Sequence, residues 1–169
     1  PQTEVKMKIK RFGVDKPFDV TIQREEIQIK SVPYLGMLND EVGYLNLSSF
    51  TDNCSQDVKD AVVELKGKGM KKLVLDLRGN PGGLLKEAVA LSNLIVPRGE
   101  MIVSTKGKVK EWNKDYKAAQ APLDKDLPLA VLVSRGSASA SEIVSGVIQD
   151  LDRGVIIGQR TFGKGLVQT

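Results

Sequence analysis

Apolar and polar residues alternate in the first thirty positions of the chain. The alternation is strict over residues 5–10 and returns over residues 18–22 and 27–30. Successive side chains of a strand point to opposite faces, so this period predicts half-buried strands. No helical period occurs in this stretch. A small sheet alone is only marginally stable, so we expect residues 1–31 to pack loosely and not to form a complete domain.

From Tyr34 onward, strand patterns alternate with helical ones. The predicted strands are residues 42–47, 73–77, 101–103, 129–133 and 155–157. The predicted helices centre on residues 58–65, 84–96 and 143–151, where apolar residues recur every three or four positions. Residues 106–126 are polar and predict a hairpin and an exposed loop. This order predicts an α/β fold, a layered core whose central sheet is flanked by helices.

The short apolar runs that end near Leu77, Val133 and Ile157 are suited to burial on both faces. We therefore expect these three strands to share one sheet. The helices should pack on that sheet through apolar stripes, which are Leu84, Ala88 and Leu91 on one helix and Ile143, Val147 and Leu151 on the other.

Composition narrows the possible chemistry. The 169 residues include no histidine. A Ser-His-Asp triad, a Cys-His dyad and nearly every catalytic zinc site are thereby excluded within this chain. A nucleophilic enzyme would need a lysine, a carboxylate or a tyrosine as its base. Cys54 is the single cysteine, so no internal disulfide can form, and we interpret it as a small buried hydrophobe.

Charge and hydropathy argue against two further classes. The net charge of +4 comes from scattered lysines without a dense basic run, which does not favour nucleic-acid binding. No apolar stretch approaches eighteen residues, so the sequence predicts no membrane span.

Two glycine- and serine-rich loops join predicted strands to predicted helices. The first covers residues 76–84 and the second residues 134–142. Such turns bring side chains and free backbone N–H groups to one edge of a sheet. The N–H groups at Gly82 and Gly83 could form half of an oxyanion hole. The alternative is a tight turn in which glycine serves conformation alone, and the loop by itself does not decide between them.

Ser139 also has two interpretations. Ser139 and Glu142 fit the Ser-x-x-Glu capping box that opens a helix, which is the structural interpretation. As a nucleophile, Ser139 would need a base, and Lys164 offers one between two glycines in an apolar stretch. Burial there would lower the pKa of the lysine, because desolvation disfavours the charged form.

Residues 158–164 fit the G-x-x-x-x-G-K pattern of a phosphate loop. The next residue is Gly165 where that loop needs Ser or Thr for magnesium, and a strand rather than a helix is predicted to follow. The sequence therefore does not favour nucleotide binding.

Three segments taken together resemble the signature blocks of the carboxy-terminal processing (tail-specific) serine proteases, peptidase family S41. They are residues 76–83, 136–143 and 158–168, in the family's order. The resemblance implies that Ser139 is the nucleophile, Lys164 its general base and Gln168 the residue that orients the lysine. It also implies an oxyanion hole of the Gly82 or Gly83 N–H with the Ala140 N–H, and supporting roles for Glu142 and Thr161.

The function implied by this resemblance is a serine endopeptidase with a Ser–Lys dyad that cleaves extracytoplasmic proteins near their C-termini. Its partners would be substrate C-terminal tails, its location the periplasm or cell envelope, and it would need no metal and no cofactor. The implied fold is a ClpP/crotonase-like core. Residues 1–31 would be the end of a PDZ domain and a linker, and residues 32–169 a protease core truncated at its C-terminal end. The alternative is a non-catalytic ligand- or peptide-binding module on the same fold.

Two geometric expectations accompany the dyad. Lys164 and Gln168 are four apart on a predicted strand and should share a face, with Lys164 buried among Phe162 and Leu166. Glu142 should face its own helix start or other donors, because a carboxylate beside Lys164 would hold the proton on the amine.

Overall fold

A computed structural model describes residues 2–25 and 30–167. The elements follow in chain order as β1 (Glu4–Ile9), β2 (Phe18–Gln23), β3 (Tyr34–Met37), β4 (Val42–Asn46), α1 (Cys54–Gly67), β5 (Lys72–Asp76), α2 (Leu85–Asn93), β6 (Met101–Thr105), a 3-10 turn (Lys110–Trp112), β7 (Lys114–Lys117), β8 (Leu129–Val133), α3 (Ala140–Asp150) and β9 (Val155–Gly158).

The first two strands form an antiparallel hairpin in which Val5 pairs with Ile22. Most of its side chains are exposed, including the apolar Met7 and Phe18. The two predicted strands are confirmed, and the exposure agrees with the loose packing expected there. The strand predicted at residues 27–30 lies mostly outside the described residues.

The central sheet has five strands in the order β3-β4-β5-β8-β9. Strands β4, β5, β8 and β9 run parallel, and β3 pairs antiparallel with β4 at one edge. The strands that end near Leu77, Val133 and Ile157 share this sheet, as predicted. Strand β3 was not predicted, because four residues around Gly36 show too little alternation to stand out.

Helices α1, α2 and α3 cover the sheet through the stripes that their period predicts. On α1 the whole predicted stripe is buried, namely Val58, Ala61, Val62 and Leu65. On α2 and α3, Ala88, Leu91 and Val147 are buried, and Ile143 and Leu151 pack against the core. The predicted α/β fold, a central sheet flanked by helices, is therefore confirmed.

Two predicted details are wrong. Helix α2 covers Leu85–Asn93 rather than residues 84–96, and Leu84 is a half-exposed cap residue instead of a packing residue. Strand β9 is not buried on both faces, since Val155 and Ile157 are 62% and 51% exposed. Because β9 is the last strand of the sheet, only Ile156 turns toward the core.

A hairpin forms over residues 101–117, with β6 antiparallel to β7. Its first strand contains the strand predicted at residues 101–103, so the hairpin begins before the predicted range of residues 106–126. Within the described ranges, no helix is both long enough and apolar enough to cross a membrane.

The three parallel strands β5, β8 and β9 end side by side. Asp76 is paired with Leu132, and Val133 with Gly158. The carboxyl ends of parallel strands meet at one edge of a sheet, where open α/β folds place their ligands. The two loops with candidate chemistry and the segment that carries Lys164 all leave the sheet at this edge.

Candidate active site

Ser139 occupies a strained turn between β8 and α3. Its backbone has φ 55° and ψ −111°, a positive φ that is rare for a residue with a side chain. Such a conformation costs on the order of 1–3 kcal/mol and persists only where the surroundings impose it. Here the Ala138 N–H donates to the Asn80 carbonyl at 3.1 Å, and the Ser139 N–H donates to Glu142 Oε2 at 2.9 Å. The half-buried serine is thereby fixed at the start of a helix.

The glycine loop lies directly against this turn. A β-carbon placed on Gly82 would come within 2.8 Å of Ser139 Cβ and 2.9 Å of the Ala140 nitrogen. A β-carbon on Gly83 would come within 2.3 Å of the Phe50 carbonyl oxygen. Both glycines also have positive φ, 99° and 148°. Glycine is therefore required at both positions, because other segments approach closely and because the backbone has positive φ.

Two backbone N–H groups remain free beside Ser139. The N–H groups of Gly83 and Ala140 donate to no acceptor in the part of the chain that the structure describes, and both residues line one pocket with Ser139. The Gly82 N–H, by contrast, donates to Asn80 Oδ1 at 2.9 Å. Of the two glycines that the sequence offered, Gly83 is therefore the one whose N–H is available to act with that of Ala140, and the oxyanion hole stays a prediction.

Glu142 gathers donors from two segments. Besides the Ser139 N–H, its carboxylate accepts from the Thr161 hydroxyl at 2.8 Å, the Gly163 N–H at 2.6 Å and the Lys164 N–H at 3.1 Å. Burial alone would raise the pKa of Glu142, but these hydrogen bonds outweigh it and lower the pKa from its ordinary value. The carboxylate faces its own helix start and backbone donors, as the sequence led us to expect.

Lys164 lines the pocket that contains Ser139, but it is exposed. Its neighbours Phe162 and Leu166 are 68% and 73% exposed, so the predicted burial of the lysine is wrong. The predicted strand is also absent from residues 159–167, since Gly163 and Gly165 adopt positive φ and interrupt an extended chain. Gln168 lies outside the described residues.

Asp76 stabilises the start of the first loop. It is 3% exposed and accepts from the Arg78 guanidinium and from the Tyr44 hydroxyl, both at 2.6 Å. Burial would raise the pKa of this carboxyl, but the hydrogen bonds from Arg78 and Tyr44 prevail and lower it. The ion pair anchors the loop that leads to the glycines.

Comparison with known proteins shows the family of the chain. Residues 41–169 match the family model described as peptidase family S41. The chain belongs to this family. It is 43% identical over 171 residues to a carboxy-terminal-processing protease of Bartonella bacilliformis, covering 99% of this chain and 39% of the relative. It is 41% identical over 172 residues to a probable CtpA-like serine protease of Staphylococcus aureus, covering 99% of this chain and 33% of that protein.

Among solved structures, the photosystem II D1 C-terminal processing protease superposes with a TM-score of 0.72 at 31% identity. That match covers 99% of this chain and 46% of the other. The chain thus spans between a third and a half of the lengths of these S41 relatives. The family and the fold that the sequence motifs indicated are both confirmed.

Some residues of this S41 site were not singled out from the sequence. Asn80 is fully buried between the two loops, and Ser137 donates from its hydroxyl to the Leu77 carbonyl at 2.7 Å. The Asn80-Pro81-Gly82 order is a usable signal, because an Asn side chain often accepts from the N–H two residues on. Cys54 behaves as predicted: it is fully buried, and burial together with nearby Glu87 raises its pKa to about 12.

Proposed function

We propose that this chain carries the active site of a serine endopeptidase that uses a Ser–Lys dyad and cleaves protein substrates near their C-termini. One observation carries the proposal. Ser139 and Lys164 line a single pocket with Gly83 and Ala140, whose N–H groups donate to no acceptor among the described residues. A nucleophile, a base and paired donors for a developing negative charge are the parts that acyl transfer requires.

In the proposed reaction, Ser139 Oγ attacks the carbonyl carbon of the scissile peptide while the Lys164 amine accepts its proton. The carbonyl oxygen becomes an oxyanion, which accepts hydrogen bonds from Gly83 and Ala140. Ala140 is the first residue of α3, so the positive end of the helix dipole adds to this stabilisation. The C–N bond then breaks, and Lys164 returns the proton to the leaving amine.

Water completes the cycle. Lys164 takes a proton from a water molecule, which attacks the Ser139 ester and passes through a second oxyanion in the same hole. Collapse of that intermediate releases the acid product and returns the proton to Ser139 Oγ. Gln168 is proposed to orient Lys164 on the basis of the family resemblance.

A groove next to Ser139 supports the proposal that the substrate is a polypeptide. It lies between β6, α3 and the segment after Gly163, and its apolar lining includes Ile102, Ile143, Val147 and Leu166. An extended chain in this groove would bring its carbonyl past Ser139, while its apolar side chains would be removed from water.

Substrate location and domain roles are also proposals. The named relatives are processing proteases, and one carries the D1 C-terminus in its name. By analogy we propose extracytoplasmic protein tails as substrates, residues 1–31 as the end of a PDZ domain and its linker, and residues 32–169 as the catalytic core. The exposed hairpin supports this division, because its apolar side chains have no complete core of their own.

Hydrolysis of a C-terminally labelled peptide by the full-length protein tests the proposal. We expect cleavage that Ser139→Ala abolishes and Ser145→Ala preserves, because Ser145 is a buried helix residue whose hydroxyl donates only within α3. A non-catalytic binding module would instead bind the peptide equally well in wild type and Ser139→Ala, and would cleave it in neither.

A further inference from the structure

One buried residue contacts both halves of the proposed oxyanion hole, with its side chain on the glycine loop and its backbone carbonyl on the serine turn. Asn80 is fully buried, and its amide donates from Nδ2 to the Leu47 carbonyl at 2.8 Å. Its Oδ1 accepts from the Gly82 N–H at 2.9 Å. Its backbone carbonyl accepts from the Ala138 N–H at 3.1 Å and from the Ser141 hydroxyl at 3.0 Å. Asn80 therefore joins the glycine loop, the end of β4 and the serine turn.

The Asn80 side chain fixes the peptide before Gly82, and the Phe50 N–H fixes the next peptide, which carries the Gly83 N–H. With the Gly82 N–H held by Asn80, the Gly82 carbonyl accepts from the Phe50 N–H at 3.0 Å. The C=O and N–H of a trans peptide point in opposite directions. The Gly83 N–H, in the same peptide plane as the Gly82 carbonyl, therefore points away from Phe50 and toward the pocket that Ser139 lines.

The backbone contacts of Asn80 hold the other half. Ala138 and Ser141 flank Ser139 and Ala140, and both donate to the same carbonyl. These two hydrogen bonds, one before and one after Ser139 and Ala140, maintain the positive φ of Ser139. They also fix the direction of the Ala140 N–H.

We infer that Asn80 is the positioning residue of the oxyanion hole, which fixes the Gly83 and Ala140 N–H groups relative to each other and to Ser139. This inference rests on the proposed function. Asn80 does not contact the substrate and acts through the two peptides. The N–H groups of an oxyanion hole accelerate the reaction only when they point at the oxyanion. Removing the contacts of Asn80 should therefore weaken binding of the transition state more than binding of the substrate.

The experiment compares Asn80→Ala with Asn93→Ala in the full-length protein. Asn93 is a matched control because its amide donates to the Val89 carbonyl at 3.0 Å and accepts from the Ala119 N–H at 2.6 Å, away from the pocket. We expect Asn80→Ala to lower kcat about 10- to 100-fold with little change in KM. A peptide boronate, which forms a tetrahedral adduct on a serine, should lose affinity by the same factor as kcat/KM. Asn93→Ala should change neither.

The outcomes separate the inference from the proposed function. If the wild-type protein shows no Ser139-dependent hydrolysis, the proposed function fails and the inference fails with it. If hydrolysis depends on Ser139 but folded Asn80→Ala keeps its kcat and boronate affinity, the inference alone is overturned. Should Asn80→Ala not fold, Asn80→Asp decides, since it has the same size and keeps an acceptor for the Gly82 N–H but loses the donor to the Leu47 carbonyl. We then expect kcat and boronate affinity to fall together, and unchanged values would overturn the inference. Failure of both variants to fold would also overturn the inference, because Asn80 would then serve stability.

Discussion

The serine turn and the lysine segment meet at one pocket but are built differently. The serine turn, residues 134–142, is largely buried and strained, and hydrogen bonds to Asn80 fix it against the glycine loop. The lysine segment, residues 159–167, has no regular secondary structure and exposes most of its side chains. It is held by the Phe162 N–H, which donates to the Ser137 carbonyl at 3.0 Å, and by the donors that converge on Glu142.

The proposed nucleophile therefore lies in a rigid turn, whereas the proposed base lies in an exposed segment. The proposed nucleophile and the proposed oxyanion donors are positioned by the folded core, so we expect them to be in place before substrate binds. The proposed base depends on a surface segment whose main connection to the core is one carboxylate. We therefore expect the position of Lys164 to respond to substrate, to Glu142 and to whatever packs on the exposed Phe162 and Leu166, while the serine turn stays fixed.

The largest effect should come from removing the base. Lys164→Ala is expected to lower kcat/KM by roughly 10³- to 10⁴-fold, because Ser139 then has no positioned proton acceptor. The Tm should stay nearly unchanged, since the lysine is exposed. Lys108→Ala, another exposed lysine, is the control for charge loss and should leave peptide hydrolysis intact. Wild-type turnover in folded Lys164→Ala would refute the dyad.

A smaller effect is expected from crowding the serine turn. Gly82→Ala would place a β-carbon 2.7 Å from the Ala138 carbonyl oxygen and 2.8 Å from Ser139 Cβ, so the turn must move. We expect kcat to fall about 100-fold and stability to fall by roughly 1–3 kcal/mol. Gly79→Ala is the matched control, since Gly79 also has positive φ, 72°, but a β-carbon there meets nothing within 4 Å. Equal kcat in the two variants would contradict a rigid serine turn.

Loosening the lysine segment should have a moderate effect. Glu142→Gln keeps the size of the side chain but weakens its acceptors for the Gly163 and Lys164 N–H groups, and also for the Ser139 N–H, because a carboxylate accepts more strongly than an amide. We expect kcat to fall about tenfold and hydrogen exchange to speed up at these two amides. Exchange at Ala138, which bonds to Asn80, should not change. Equal acceleration at Ala138 would show that the two regions are one unit.

The smallest effect concerns acid stability. The folded-state pKa of Glu142 is lowered from its ordinary value of 4.5, so its ionised form stabilises the fold above that pH. This contribution is lost as the pH falls through the lowered pKa. The Tm of the wild type should therefore decline more steeply below about pH 4.5 than that of Glu142→Gln. Parallel Tm curves for the two proteins would mean that Glu142 does not contribute. Asp76 and Glu87, whose pKa values are also lowered, should contribute to the acid decline that remains in Glu142→Gln.

Local patterns predicted the parts of the fold that depend on near neighbours. The stripe of Val58, Ala61, Val62 and Leu65 predicted both the helix and its buried face, because a 3.6-residue period depends only on the helix itself. Strand β9 shows a feature that a local pattern does not predict. Its apolar run is the same whether it lies in the middle or at the edge of a sheet, and the edge position depends on strand order.

In the candidate active site, too, some features follow from local sequence and others depend on contacts between distant residues. The family motifs indicated Ser139, Ala140 and either Gly82 or Gly83, and the structure adds that the Gly82 N–H is used within its own loop. The exposure of Lys164 was mispredicted, since apolar neighbours in sequence do not ensure burial in space. The bonds from Asn80 to Leu47 and from Ala138 to Asn80 join residues 33 and 58 positions apart, as their numbering shows, so no local pattern reveals them.

The central claim is that the serine turn presents a reactive Ser139 whose proton Lys164 removes. Its most direct test is the reaction of the full-length protein with a fluorophosphonate, followed by mass spectrometry of the modified peptide. We predict one adduct, on Ser139, that forms much more slowly in Lys164→Ala and at the wild-type rate in Lys108→Ala. Absence of an adduct on Ser139, or labelling of Lys164→Ala at the wild-type rate, would contradict the account.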